Sequence, residues 1–72
     1  MDLPAGTYRH YKGPEYRVLM VATHSETEEQ LVIYQALYGD YGYWARPLSM
    51  FVETVVVEGE ERPRFELIEA AG

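Results

Sequence analysis

The sequence predicts an all-β fold, a small barrel of five or six short antiparallel strands. Apolar and polar residues alternate with a period of two in several short segments. Turn-forming residues separate these segments at intervals of roughly ten residues. Seven of the 72 residues are tyrosine, which is typical of strands. The length suffices for one domain, residues 1–72, with loose ends expected at 1–5 and 69–72.

A chain this short forms a small core and a domain of modest stability. Folding buries only roughly 60% of the surface that the unfolded chain exposes. A scale of about 0.05–0.15 kcal/mol per residue gives a free energy of unfolding of roughly 4–11 kcal/mol. The sequence contains no cysteine, which excludes disulfides, thiolate metal sites and cysteine nucleophiles.

The N-terminal third predicts two strands joined by a tight turn. Thr7–Lys12 carries aromatic residues with a period of two, which indicates the first strand. The turn follows at Gly13 and Pro14, because glycine allows positive φ and proline fixes φ. Tyr16–Thr23 is the second strand, and apolar residues on both of its sides predict cover on both faces of its far half.

The following apolar segment admits two interpretations. A capping box at Ser25 and Glu28, together with a C-cap at Gly39, would make Glu26–Tyr38 a helix. Consecutive β-branched and aromatic residues inside that range favour a strand, and no polar stripe recurs every 3.6 residues. We therefore predict a tight turn at 25–29 and a strand at 30–38.

The next residues predict a hairpin that ends at a proline. Gly39 and Gly42 lie in its loop, where positive φ is common. Tyr43–Arg46 returns as a strand, and Pro47 ends it because proline cannot donate a ladder hydrogen bond. A short 3₁₀ turn is predicted near residues 47–50.

The last third predicts two more strands. Phe51–Glu58 forms the first, because it is rich in valine. Gly59-Glu60-Glu61 then turns the chain. Arg64–Ile68 forms the last strand.

Charge and hydropathy restrict the partners. The formal net charge is −6 at pH 7, and residues 51–72 carry six glutamates. This balance argues against duplex DNA, because nucleic-acid backbones bind basic surfaces. No apolar segment approaches the roughly 18 residues of a membrane span, and the N-terminus lacks a signal pattern, so we expect a cytoplasmic protein without membrane association.

Four motifs carry a specific resemblance. They are YRHYKG at 8–13, HSET at 24–27, VIYQALYG at 32–39 and WARPLSMF at 44–51. In this order they resemble a family of small bacterial proteins, domain-of-unknown-function family 1653, over residues 6–55. The resemblance implies a compact SH3-like β-barrel. It implies no chemistry, because the family has no established activity.

Catalytic and metal-binding patterns are incomplete. His24 and Glu26 match the first half of a zinc deaminase signature, but its second half needs two cysteines. A metal site would require His10 and His24 to converge with glutamates, although they lie on different strands. We predict no metal and no cofactor, and we expect His24 to hydrogen-bond to the turn that follows it. A small hydrolase or other enzyme that uses His24 and Glu26 stays as an alternative.

Tyrosine and tryptophan side chains outnumber what so small a core can hold. Two interpretations are open. The rings line a binding groove, as in SH3-like barrels that bind peptides or nucleotides, or they cover the ends of the barrel with their hydroxyls in water. Cationic residues interleave with them, and an arginine beside stacked rings is how mononucleotides and single strands are held. The predicted ligand-binding residues are Tyr8, Arg9, His10, Lys12, His24, Tyr34, Trp44 and Arg46.

A non-enzymatic binding module is the function that these observations favour. The expected partner is a small anionic or aromatic ligand, a short single-stranded nucleic acid or another protein. The chain is expected to be a monomer or a weak homodimer. A structural accessory domain, alone or paired through an exposed strand edge, is a further hypothesis. Trp44 is expected to be largely buried against Leu31, Ile33 or Phe51.

Overall fold

A computed structural model describes residues 3–71, which form seven strands and one helical turn. The strands are β1 Gly6–His10, β2 Glu15–Thr23, β3 Gln30–Ala36, β4 Tyr43–Pro47, β5 Thr54–Val57, β6 Glu60–Pro63 and β7 Phe65–Ala70. The helical turn α1, Leu48–Phe51, follows β4. The all-β prediction is confirmed, with seven strands in place of five or six. No helix within residues 3–71 is long and apolar enough to cross a membrane.

The strands form two antiparallel sheets. Five of them make one sheet in the order β4-β3-β2-β1-β7, and β5 pairs with β6 in a separate hairpin. Leu19 of β2 has no opposite residue in β3, and Ile68 of β7 has none in β1, so the register of each pair shifts there. Such bulges bend a strand and increase its twist. Among the described residues β4 and β7 are the sheet edges, so the barrel-like sheet is open between them.

The ambiguous segment after β2 is a turn and a strand, not a helix. The His24 N–H donates to the Glu29 carbonyl at 2.7 Å, and the Glu28 N–H donates to the His24 carbonyl at 2.9 Å. β3 then alternates between more and less buried residues, as a strand with one face on the core must. The prediction of a strand is confirmed, although β3 ends at Ala36 and not at residue 38.

The prediction that Phe51 begins a strand is wrong. Phe51 ends α1, one helical turn where the sequence predicted a 3₁₀ turn, and β5 begins only at Thr54. The Val52 N–H donates to the Leu48 carbonyl at 3.1 Å, which closes the turn. Leu48 and Phe51 lie three residues apart on one side of it, and both are buried. Burial of these two side chains therefore decides the local structure.

The C-terminal third contains one more strand than predicted. Glu60 and Glu61, expected in a turn, lie in β6, and the turn is confined to Glu58 and Gly59. Both turn residues have positive φ, 51° and 83°, which matches a two-residue type I′ hairpin.

The end of the chain continues as a strand beyond the predicted Ile68. β7 runs through Ala70, where Glu69 and Ala70 pair with Thr7 and Gly6, and the Ala71 N–H donates to the Ala5 carbonyl at 2.9 Å. Gly6 is required at this contact because a Cβ there would meet the backbone of Glu69 and Ala70. Residues 1–2 and 72 of the predicted loose ends lie outside the described residues.

The core lies between the sheet and α1. Its buried members are Tyr8, Val18, Val32, Tyr34, Leu48, Phe51 and Phe65. Phe51 and Phe65 stack with ring centroids 4.1 Å apart and an interplanar angle of 2°. The prediction that Trp44 is buried is wrong, because its side chain is 58% exposed. The position in the core that we expected for Trp44 is filled by aromatic rings from β7 and α1.

Candidate functional site

The inner face of the five-stranded sheet carries several of the aromatic side chains. Opposite residues in antiparallel strands lie on the same face. Trp44 is opposite Tyr34, and Tyr34 is in turn opposite Val18. Tyr8 is opposite Tyr16 in the neighbouring strand pair. The inner face is therefore aromatic from the core out to the β4 edge, where it reaches solvent at Trp44.

Where this face opens, the side chains form a cleft, which we call the Trp44 cleft. Its volume is about 220 Å³, and its lining residues are Tyr16, Tyr34, Tyr38, Trp44 and Arg46. Tyr16 meets Tyr34 and Tyr38 edge to face, with centroids 5.4 and 5.6 Å apart. Such packing holds rings in fixed orientations. The cleft has rigid aromatic walls and an exposed indole at its edge.

Arg46 supplies the cleft with a positive charge. Its Nε–H donates to the Tyr34 hydroxyl at 3.3 Å, and its guanidinium carbon lies 5.8 Å from the centroid of the Phe65 ring. Within residues 3–71, no carboxylate lies within ion-pair distance of Arg46. The Nη groups have no hydrogen-bond acceptor among the described residues. This half-buried cation is anchored at Nε and has N–H donors left for an anion.

Two tyrosine hydroxyls meet at the other side of the cleft. The Tyr16 and Tyr38 hydroxyls are 2.8 Å apart and share a hydrogen bond. Burial raises the pKa of Tyr16 to about 12, and its hydrogen bond and Coulombic contact with Tyr38 add to the effect. At neutral pH this phenol stays protonated, so it can orient a ligand by hydrogen bonding but offers no base or nucleophile.

His10 neighbours the cleft through the Phe65 ring. The His10 ring packs against Phe65 at a centroid distance of 5.0 Å, and Phe65 lies beneath Arg46. Burial lowers the pKa of His10, and the charges of Arg64, Lys12 and Arg46 lower it further. Of these cations, Arg64 lies 3.6 Å from a carboxylate oxygen of Glu53, whereas Arg46 has no carboxylate partner within residues 3–71.

The structure brings together three of the eight predicted ligand-binding residues, Tyr34, Trp44 and Arg46. Tyr8 lies in the core, and its hydroxyl donates to the Pro4 carbonyl at 2.7 Å. Its ring is therefore part of the support beneath the cleft and does not line it.

Three further predicted residues surround the end of β1. Arg9 and His10 line a separate cavity of about 330 Å³ with residues of β6 and β7, and Arg9 pairs with Glu15 at 3.1 Å. Lys12 lies over the Tyr11 ring, 5.7 Å from its centroid. The predicted ligand-binding residues near β1 and in β4 do not form one site, because β2 and β3 separate these strands.

His24 lies at the opposite end of β2 from the cleft. Its Nδ1 accepts hydrogen bonds from the backbone N–H groups of Glu26 at 3.1 Å and Thr27 at 3.3 Å. The expectation that His24 hydrogen-bonds to the following turn is confirmed. Glu26 contributes its backbone N–H to this arrangement and no carboxylate contact to His24. Among residues 3–71, no three His, Asp or Glu side chains cluster as a metal ion would require.

Charge distinguishes the Trp44 cleft from the other cavities. The cavity beside Arg9 contains acids and bases together, and Arg62 in its wall lies 3.7 Å from Glu60. A third concave region, lined by Glu29, Gln30, Leu48, Ser49 and Val52, has no aromatic residue. The Trp44 cleft combines four aromatic rings with an arginine that no described acid neutralises. It is the best candidate for a ligand site, although it is smaller than the other two.

Tyr16 and Tyr38 line the cleft but are not among the ligand-binding residues predicted from the sequence. Tyr16 is opposite Ala36 in the β2–β3 pair, and Tyr38 follows two residues after Ala36. The proximity of Tyr16 and Tyr38 therefore follows from the register of the β2–β3 pair. The bulge at Leu19 shifts this register. Alternation along each strand alone does not show that the two hydroxyls meet.

Comparisons with known proteins agree with the resemblance noted in the sequence. The model of the family described as protein of unknown function (DUF1653) matches residues 6–67. A crystal structure of a DUF1653 protein from Bordetella bronchiseptica is 37% identical in sequence, with a TM-score of 0.87. The match covers 99% of this chain and 94% of that one. No curated protein matches the chain.

Proposed function

The chain belongs to the DUF1653 family of proteins of unknown function, and we propose that it is a non-enzymatic binding module. In this proposal the Trp44 cleft binds a small planar anion, such as a mononucleotide or the end of a short single strand. One observation carries the proposal: the half-buried guanidinium of Arg46 lies beside four aromatic rings. No carboxylate within residues 3–71 neutralises it.

The shape of the cleft favours a flat ligand. The exposed face of Trp44 offers a stacking surface, and base–aromatic stacking contributes about 1–3 kcal/mol per base. Drug-sized ligands occupy pockets of roughly 300–1,000 Å³. The cleft has about 220 Å³, which suits one ring and its charged substituent better than a larger molecule.

Charge favours an anion of limited length. The Nη groups of Arg46 can bind two oxygens of a phosphate or carboxylate side by side. A long polyanion would also approach the acidic remainder of a chain with net charge −6. This repulsion favours a mononucleotide or the end of a short single strand over duplex DNA, although salt screens it beyond about 10 Å at 0.1 M.

The geometry supports binding better than catalysis. Tyr16 is held protonated, and the Nδ1 of His24 accepts backbone hydrogen bonds from a turn at the far end of β2, away from the cleft. An acid–base mechanism needs a group with a suitable pKa beside the reacting atoms. The cleft side chains instead supply rings, hydrogen-bond donors and one permanent cation. A cytoplasmic location, where nucleotides are plentiful, is part of the proposal.

Fluorescence of Trp44 tests the proposal, because the sequence contains no other tryptophan. Adenosine monophosphate is titrated in low salt, with excitation at the red edge of the indole band where the nucleotide does not absorb. Adenosine and inorganic phosphate are titrated separately as ligands that lack the charge or the ring. We expect saturable quenching by the nucleotide, weaker quenching by adenosine and no quenching by phosphate.

Two arginine variants provide a matched pair. Arg46→Ala removes the cation from the cleft, whereas Arg17→Ala makes the same charge change at an exposed position of β2, next to buried Val18. Loss of a charged hydrogen-bond partner costs about 1.5–3 kcal/mol, or roughly 10- to 150-fold in affinity. The proposal is overturned if both variants bind like the wild type, or if tetramethylammonium, a quaternary cation, binds the cleft in place of the nucleotide.

A further inference from the structure

The outer edge of β4 has unpaired backbone groups. The Ala36 N–H donates to the Gly42 carbonyl at 3.0 Å, which identifies this pair as hydrogen-bonded. Hydrogen-bonded pairs alternate along an antiparallel ladder, so Trp44 and Arg46 also direct their backbone groups toward β3. The N–H and C=O groups of Tyr43 and Ala45 therefore point away from the sheet. Within residues 3–71 no strand pairs with this edge.

The two edge strands of the sheet, β4 and β7, differ in how well they are protected from pairing with another strand. Exposed edges are commonly protected from further pairing by charged residues or proline. β7 carries Glu66 and Glu69. β4 carries no acid, and its proline is at its last position. Its exposed residues include Tyr43, 67% exposed, and Trp44. β4 thus presents two exposed aromatic side chains and a single charge, that of Arg46, at an edge that can accept another strand.

We propose that two copies of this chain pair through β4, antiparallel and centred on Ala45. This inference goes beyond the ligand-binding function and does not depend on it. The reason for a second copy as the partner is self-complementarity, because β4 supplies a carbonyl acceptor for each of its own outward N–H groups. A two-fold interface requires that the same surface fits itself in this way.

In the Ala45-centred register, each outward N–H group of β4 donates to a carbonyl of the other copy. Ala45 lies opposite Ala45 of the second copy, and the pair exchanges two backbone hydrogen bonds. On each side, the Tyr43 N–H donates to the Pro47 carbonyl of the other copy, where the missing proline N–H leaves no return bond.

The same register pairs the side chains of the inner face. Trp44 lies opposite Arg46 of the second copy on both sides of the two-fold axis. A guanidinium on an indole face is the favourable cation–π pairing. Arg46 has no carboxylate partner within residues 3–71, and Trp44 is exposed, so both side chains gain a contact in the dimer.

The dimer is expected to be weak and to respond to salt oppositely to ligand binding. A five-residue strand buries too little surface for a permanent interface. Each copy carries a net charge of −6, so screening by added salt favours association. Salt weakens the binding of an anion at Arg46, which separates the two processes experimentally.

Sedimentation equilibrium from micromolar to millimolar protein, at low and high salt, tests the proposal. Ala45→Pro removes an outward N–H and leaves the β3–β4 ladder intact, because proline is tolerated on the free side of an edge strand. Ala45→Val retains that N–H and is the matched control. We expect a reversible dimer that Ala45→Pro weakens by about tenfold or more, since two backbone hydrogen bonds are lost, and that Ala45→Val preserves.

A second measurement keeps the test decisive if Ala45→Pro fails to fold. Amide hydrogen exchange of the wild type at Tyr43 and Ala45 should slow as protein concentration rises, whereas β7 amides on the far edge should not change. Arg46→Ala should weaken the dimer, because the Ala45-centred register uses its side chain. A monomer at millimolar concentration and high salt overturns the proposal. So does a dimer that is indifferent to Ala45→Pro or Arg46→Ala.

Discussion

The Nε–H of Arg46 donates to the hydroxyl of Tyr34 across 3.3 Å, and this contact fixes the guanidinium beside the cleft. Tyr34 is a core residue whose ring packs against Phe51 and Phe65, so its hydroxyl is held at the boundary between core and solvent. An otherwise flexible arginine is thereby attached to the most rigid part of the fold. This residue pair therefore connects the ligand site to the core.

Tyr34→Phe tests the anchoring of Arg46. The ring and its packing are retained, so we expect a loss of only about 0.5–1.5 kcal/mol in the free energy of unfolding for one hydrogen bond. Nucleotide affinity should fall because the guanidinium loses its anchor, and the salt dependence of binding should persist. Tyr41→Phe, in the exposed β3–β4 loop, is the control. Equal affinity for both variants would show that Tyr34 does not position Arg46.

Phe51→Ala should destabilise the domain far more than Trp44→Ala, although the sequence predicted that Trp44 is buried. Phe51 is 1% exposed and stacks on Phe65, so its truncation should cost about 3–5 kcal/mol. That approaches the stability of a domain this size, and the variant should be largely unfolded. Trp44→Ala should melt within about 1 kcal/mol of the wild type, because surface substitutions rarely cost more. Urea unfolding followed by circular dichroism compares them, and a less stable Trp44→Ala would contradict the assignment of the core.

Much of the fold could be predicted from sequence because the signals are local. Gly39 and Gly42 identify the β3–β4 hairpin, and the polar residues 25–29 separate β2 from β3. Trp44 is exposed and not buried because it lies on the edge strand β4, and periodicity does not report which of several nearby aromatic rings reaches the core. β6 was missed because its residues, Glu60–Pro63, are all exposed and carry no apolar alternation.

Only the part of the site that lies on the β3–β4 hairpin was predictable from the sequence. Tyr34, Trp44 and Arg46 come from two strands joined by a short loop, so their proximity follows from the sequence. Tyr16 meets Tyr38 through a bulge at Leu19, and Arg46 approaches Phe65 across the open side of the sheet. Both contacts join segments distant in the chain, and no local pattern encodes them.

Alkaline titration should report the environment of Tyr16. Its pKa is raised from 10.0 to about 12, so its neutral form stabilises the folded state. This contribution is fully present below pH 10 and is lost as the pH rises toward 12, because the unfolded chain ionises first. The free energy of unfolding should fall with pH in that window, and Tyr16→Phe should fall less steeply. Urea titrations at several alkaline pH values measure this, and identical slopes would contradict the assigned environment.

The pKa of His10 should respond to charge in the cleft. Arg46 is among the cations that lower it, after burial, Arg64 and Lys12. Arg46→Ala should therefore raise the pKa of His10, and a bound nucleotide should raise it in the wild type. Both effects are followed by the NMR titration of the imidazole C–H signals. A nucleotide that binds without moving the His10 titration would mean that its phosphate lies away from Arg46.

The location of nucleotide-induced NMR shifts tests the central claim most directly. Labelled wild-type protein is titrated with adenosine monophosphate at low salt, and the perturbed backbone and side-chain signals are mapped. The Trp44 cleft predicts saturable shifts at Tyr16, Tyr34, Tyr38, the Trp44 indole N–H and Arg46, all lost in Arg46→Ala and retained in Arg17→Ala. The absence of shifts at millimolar nucleotide, or shifts confined to the cavity beside Arg9 and Arg62, would contradict it.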